Sequence, residues 1–236
     1  MDASLGRSTS GRLALVEKFF AGTAGSYDFI VDATTVGADR RWKRRIAEAV
    51  PAGATRILDL ASGTGILTFV LARRFPNARI VGVELRDEYL QISRRRARAQ
   101  RIANVEFVLG RAEDFTASER FDAIVSSYLA KYADLEALVR MARALLEPAG
   151  VLVTHDFTCP SNPRTERLWR MQFRVIQSVF GRLWPAWRSA FDGLPELIAA
   201  TRWVPELEDA LARHGFHSVV AEELSAHGAT MVSAVA

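Results

Sequence analysis

Cysteine is nearly absent: Cys159 stands alone among 236 residues. A single thiol closes no disulfide, so the chain must hold together by packing and suits a reducing compartment. Long apolar runs are absent too. Leu13-Ala-Leu-Val16 is cut short by Glu17 and Lys18, so neither a membrane span nor a signal peptide is expected, and the expected location is the cytoplasm. His214, His217 and His227 lack the spacing of ligands, so no metal is expected. Internal repeats and low-complexity linkers are missing as well, which leaves one domain as the simplest organisation.

What is present fits a globular protein with a full core: 49% hydrophobic and 25% charged residues. The net charge of +4 comes mostly from arginine, gathered in Arg40, Arg41, Lys43, Arg44 and Arg45 and again in Arg94, Arg95, Arg96, Arg98 and Arg101. A solvated helix face is the default reading of such runs, and contact with an anionic lipid surface is the second. No nucleic-acid module accompanies them, and no nucleic-acid partner is expected.

The chain is organised around Arg56-Ile-Leu-Asp59-Leu-Ala61-Ser-Gly63-Thr-Gly65-Ile-Leu-Thr-Phe-Val. Ile57, Leu58 and Leu60 read as a buried parallel strand, and Ile66, Leu67, Val70 and Leu71 recur at helical spacing. Between them the glycines permit a sharp turn and close approach to a ligand, and the helix start offers free N–H groups. Glu84 ends the next apolar run about twenty residues on, where an α/β nucleotide fold places the acid that accepts ribose hydroxyls. A dinucleotide fingerprint fits less well, because Thr68 occupies the third glycine position and Asp59 precedes the loop. The loop suits S-adenosylmethionine better.

Strands and helices then alternate. Strands are expected at 104–109, 121–126 and 151–157, with a helix from Asp134 closed by Pro148 and Gly150, which argues a parallel, doubly wound sheet. An aromatic helical insert over 161–200 carries Trp169, Phe173, Ile176 and Phe180 on one stripe and Leu168, Val175 and Val179 on another. It follows a strand whose carboxyl end faces the ligand crevice and reads as a substrate lid. A helix bracketed by Pro205 and Gly215 precedes two strands joined around His227-Gly228. The divisions expected are a flap (1–53), a cofactor core (54–160), a lid (161–203) and a closing helix and hairpin (204–236).

With these residues placed, the chain resembles the class I S-adenosylmethionine-dependent methyltransferases, and among them the ubiquinone/menaquinone C-methyltransferases. The loop from Leu58 to Gly65 has their alanine, Ala61, where most methyltransferases have a first glycine. Further likeness runs through Tyr27-Asp28, Trp42-Lys43-Arg44, Phe121-Asp122-Ala123, Asp156-Phe157 and Leu194-Pro195-Glu196. The resemblance implies a seven-stranded, mostly parallel sheet with a C-terminal antiparallel hairpin. It also implies a site in which Tyr27, Asp59, Ala61, Gly63, Gly65, Glu84, Leu85, Arg111, Ala112, Glu113 and Ser126 bind S-adenosylmethionine. Arg111 departs from the family, which has aspartate there to meet the adenine amine; arginine cannot accept that bond, so Glu113 or Asp114 substitutes, the backbone around Ala112 holds the ring alone, or Arg111 stacks on it.

The acceptor implied is a small or lipid-like apolar aromatic molecule, most sharply a polyprenyl quinol methylated on carbon. Methylation of oxygen or nitrogen in another small molecule or lipid headgroup is the alternative, as is a catalytically silent scaffold. Asp156, beside His155, is the expected catalytic residue, a candidate for the base or for a grip on a substrate hydroxyl, and since neighbouring strand residues face opposite sides at most one of the two need reach the pocket. Lys131 and Tyr132 offer a grip on a phenolate, although a surface lysine is the default. A peripheral contact with the inner membrane face and a homodimer stay open.

Overall fold

A computed structural model describes residues 9–224 and 228–236; the first eight residues and His227 of the expected turn lie outside the described residues. In chain order the elements are α1 (Thr9–Phe20), α2 (Tyr27–Thr34), α3 (Ala38–Ala49), β1 (Arg56–Leu60), α4 (Ile66–Arg74), β2 (Arg79–Glu84), α5 (Asp87–Ala99), β3 (Val105–Leu109), β4 (Phe121–Ser127), α6 (Leu135–Leu145), β5 (Leu146–Phe157), α7 (Pro163–Leu183), α8 (Arg188–Ala200), α9 (Trp203–Arg213), β6 (His217–Leu224) and β7 (Ala229–Val235). The strands form one sheet in the order β3-β2-β1-β4-β5-β7-β6. β7 runs antiparallel to both β5 and β6, and the pairs from β3 across to β5 are parallel. Strand order reverses between β1 and β4, which opens a ligand crevice at their carboxyl ends.

Alternation along β1 builds both faces. Ile57 packs with Ile46 of α3 and Leu67 and Leu71 of α4, while Leu58 and Leu60 pack with Leu138 of α6 and Trp203 and Leu207 of α9. Each such side chain, when fully buried, contributes about 1.5–3 kcal/mol. Asp134 caps α6 as its sequence suggests, accepting the Ala137 N–H at 3.1 Å.

One boundary differs. β5 begins at Leu146, which pairs with Phe121 before the register slips and Val151 pairs with Ala123. Pro148 and Gly150 therefore sit in a bulge of the strand and do not close the helix. Proline has no N–H to give a ladder, and a side chain at Gly150 would meet the Glu147 carbonyl at 2.9 Å.

α1, α2, α7 and α8 share a third apolar cluster containing Phe19, Ile30, Ile176, Phe191 and Leu197, roofing the crevice. Phe19 of α1 lies so near α8 that a Cβ on Gly193 would stand 2.6 Å from its ring. Only glycine admits this contact.

Candidate functional site

The β1–α4 turn is held open by its backbone. Ala61, Gly63 and Gly65 occupy the left-handed region, with φ of 56°, 58° and 87°, and a Cβ at Gly65 would stand 2.7 Å from the Phe69 ring. The Ser62 N–H donates to the Val83 carbonyl at 2.9 Å, fastening the turn to the neighbouring strand. Glu84, buried at the tip of β2, accepts the N–H groups of Gly63 and Arg86, each at 2.9 Å. Burial pushes its carboxyl up, against the pull of those N–H groups. Ser126, level with Leu60 in the sheet, keeps a buried hydroxyl without a partner among the described residues.

Asp59 lies beneath the turn, 1% exposed, and accepts the Thr68 hydroxyl at 2.6 Å, so it ties β1 to α4. Burial raises its carboxyl to about 7, opposed by the Thr68 bond and the Lys43 charge. The flap is tied to the turn as well. The Thr64 hydroxyl donates to Asp28 of α2, whose other oxygen takes Arg96 of α5.

Two cavities meet in the crevice. A small one, about 50 Å³, is walled by Ala61, Leu85, Arg111, Ala112 and Glu113 and roofed by α1 through Arg12, Leu13 and Val16. Five of the expected cofactor residues thus converge there. Arg111 donates to Glu113 at 3.0 Å and to Asp114 at 3.4 Å, and Glu113 also accepts the Asp134 N–H, so neither Arg111 nor Glu113 is uncommitted.

The larger cavity, about 200 Å³, exceeds the ~150 Å³ that takes a benzene ring. Trp42, Tyr128, Phe157, Trp169, Phe173 and Trp187 are among its walls, and Lys131 is the one charged lining residue among those described. Tyr132 lines both cavities, with a buried hydroxyl that has no partner among the described residues. Tyr27 lines the larger one, and burial pushes its hydroxyl well above its usual range.

Lys131 is a correction to the expectation of a surface lysine: its side chain is 2% exposed and its ammonium pairs with Asp156. That carboxylate, wholly buried, also accepts the Lys131 N–H at 3.1 Å and the Phe157 N–H at 2.7 Å. Asp156 does not itself line the cavity; it stands behind Lys131. Burial lowers the Lys131 ammonium and the Asp156 charge opposes that shift. His155 turns to the other side of the sheet, where its Nδ1 bonds the Ser127 hydroxyl at 2.9 Å and its ring packs on Trp42. Burial, with Lys43 and Lys131 nearby, keeps its imidazole neutral.

Sequence reasoning missed the α1 roof, Leu129 and Val83 in the small cavity, and the bridging place of Tyr132. Only Val83 carried a signal, one residue before the acid of β2.

A doubly wound sheet with an acid at the β2 tip and a glycine turn at its switch point is an architecture that binds a nucleoside cofactor in the crevice at the carboxyl ends of its strands. A family model described as a methyltransferase domain matches residues 52–185. A demethylmenaquinone methyltransferase of Thermus thermophilus is 32% identical over 84% of this chain and 90% of its own length. One of Deinococcus radiodurans is 30% identical over 86% of this chain and 85% of its own. The solved geranyl diphosphate C-methyltransferase of Streptomyces coelicolor superposes with a TM-score of 0.59 at 18% identity, over 84% of this chain and 78% of that one. The chain belongs to the class I S-adenosylmethionine-dependent methyltransferases and, within them, to the ubiquinone/menaquinone C-methyltransferase family. Its methyl donor is S-adenosylmethionine.

Proposed function

We propose that the chain methylates a ring carbon of a hydroquinol bearing an apolar tail, of the demethylmenaquinol kind named for its relatives. The observation that carries this reading is the larger cavity: aromatic walls with one charged head, Lys131, backed by Asp156. When bound, S-adenosylmethionine supplies a methyl group already activated on a sulfonium, so the protein's work is alignment, exclusion of water and management of one proton. The turn from Ala61 to Gly65 and Glu84 take the amino-acid and ribose parts of the donor. Leu85, Arg111, Ala112 and Glu113 enclose its adenine, with the Ala112 backbone in the role the missing aspartate plays elsewhere. Asp59 braces the turn from below, Ser126 offers a free hydroxyl, and Tyr27 covers the junction from the flap.

Lys131 Nζ meets the acceptor hydroxyl. Burial makes it a readier base than a solvated lysine, and loss of that hydroxyl proton to Lys131 makes the adjacent ring carbon nucleophilic. Once that carbon carries the methyl, its own proton passes to the phenolic oxygen, which restores the ring, and the proton held by Lys131 is the one released. Asp156 holds Nζ in place and acts through it. The α7–α8 insert closes over the ring as a lid, and the tail of a lipid acceptor, collected at a membrane surface, leaves between α2 and α7, both of which line the cavity. Incubation with S-adenosylmethionine and a reduced demethylated naphthoquinone tests this. The expected product is heavier by one methyl group attached to carbon; a product methylated only on oxygen, or none from any quinol, overturns it.

A further inference from the structure

α7 is apolar on two sides. Trp169, Phe173 and Ile176 line the larger cavity. Turned away from it, Leu168, Met171, Val175, Val179 and Leu183 are 45–65% exposed. Their spacing of three and four residues makes one continuous stripe along the helix. α2 and the turn after it extend the stripe: Phe29 of the helix and Val36 of the turn are 56% and 84% exposed. Phe29 packs on Trp184 with ring centroids 5.3 Å apart, and Gln172 donates to the Thr34 carbonyl at 3.1 Å, so the two helices present one surface.

Charge borders the stripe. α7 carries five arginines and one acid, Glu166, which is bound to Arg170. Arg164, Arg167, Arg174 and Arg182 are exposed and, among the described residues, have no carboxylate within ion-pairing distance. The basic helices that stand out in the sequence are less free. Arg40 and Arg45 of α3 bind Asp32 and Glu222, and Arg94 and Arg96 of α5 bind the Phe107 carbonyl and Asp28. That leaves half of these helices' arginines, Arg41, Arg44, Arg95 and Arg98, without a carboxylate within ion-pairing distance among the described residues, against four of five in α7. No described helix is long and apolar enough to cross a membrane. An apolar stripe edged by unpaired arginines is instead the pattern of a helix lying in the interface of an anionic bilayer.

We propose that the outer face of α7, with Phe29 of α2 and Val36 of the turn that follows it, seats on an anionic lipid bilayer and turns the α2–α7 side of the acceptor cavity toward the acyl layer. An acyl-like tail then stays in lipid while its ring enters between the two helices. This delivery role rests on the lipid-tailed acceptor proposed above; the docking itself does not.

Sedimentation with vesicles of phosphatidylcholine, alone or with phosphatidylglycerol, tests it. The protein is expected to sediment with the anionic vesicles at low salt and to be released as salt screens the arginines. Val175→Asp with Val179→Asp is expected to weaken binding at least tenfold while thermal midpoint, cofactor affinity and turnover of a short-tailed, water-soluble quinol stay unchanged. Turnover of a long-tailed quinol carried in vesicles falls with the binding. Arg167→Glu with Arg174→Glu is expected to weaken binding and flatten its salt dependence. The proposal is overturned if the parent protein ignores both vesicles, if the aspartate variant binds as the parent does, or if light scattering shows a dimer that the same substitutions split, which would make the face a contact between copies. Vesicle binding without methylation of any quinol removes the acceptor reading and leaves the docking surface standing.

Discussion

The ammonium of Lys131 is locked against the carboxylate of Asp156, and the same carboxylate takes the backbone N–H groups of Lys131 and Phe157. A buried pair of this kind is costly to break, because the surviving charge is left without compensation. Asp156→Asn is therefore expected to lower stability by about 3–5 kcal/mol in chemical denaturation. The Asp156 charge also supports the Lys131 ammonium, so its removal moves the rising limb of the kcat–pH profile, along which Lys131 loses its proton, to lower pH, a shift that a purely structural carboxylate would not produce. Lys131→Met is expected to cut kcat by about a hundredfold or more, the usual worth of a positioned acid or base, while cofactor affinity by calorimetry holds.

Asp59 makes stability depend on pH in the opposite sense to an ordinary ion-paired acid. Its folded carboxyl stands at about 7 against an unfolded value near 3.8, so the folded chain binds more protons between those limits and loses stability as pH rises through them. The full penalty, roughly 4 kcal/mol at most, is reached above the folded value. Asp59→Asn keeps an acceptor for Thr68 without the charge. It is expected to melt above the parent at pH 8 and to lose that margin toward pH 4; a margin independent of pH would count against the assignment.

Glu84 tests the donor site. Glu84→Ala removes the carboxylate that the proposed site offers to the ribose and frees the Gly63 N–H, so the affinity for S-adenosylmethionine is expected to fall by about 1–3 kcal/mol. Circular dichroism of the variant should match the parent, since the apolar clusters on the two faces of the sheet do not include it.

Tyr132 separates stability from function. A buried hydroxyl without a partner costs about 1 kcal/mol or more. Tyr132→Phe is therefore expected to raise the melting midpoint and lower the rate of methyl transfer. A loss of stability would show that the hydroxyl is satisfied by something else.

Elements that depend on neighbours in sequence were legible in it. The strand, turn and helix from Arg56 to Arg74, the acid at Glu84 and the Asp134 cap each follow from local spacing, and the two stripes of α7 follow from periodicity. What the sequence hid depends on long-range packing. Lys131 looks like a surface residue until β5 brings Asp156 beside it, 25 positions along the chain. The start of β5 was obscured because Pro148 and Gly150 mark a helix end as readily as a strand bulge. Nothing in Arg12, Leu13 or Val16 signals that they cover a cavity formed largely by residues beyond position 60.

The contact between Phe19 and Gly193 has a kinetic corollary. α1, which roofs the small cavity, also grips α8, which lines the larger one. On the reading proposed above, exit of the spent nucleoside and arrival of the next ring are expected to be coupled, with a bulkier residue in place of Gly193 felt at both doors.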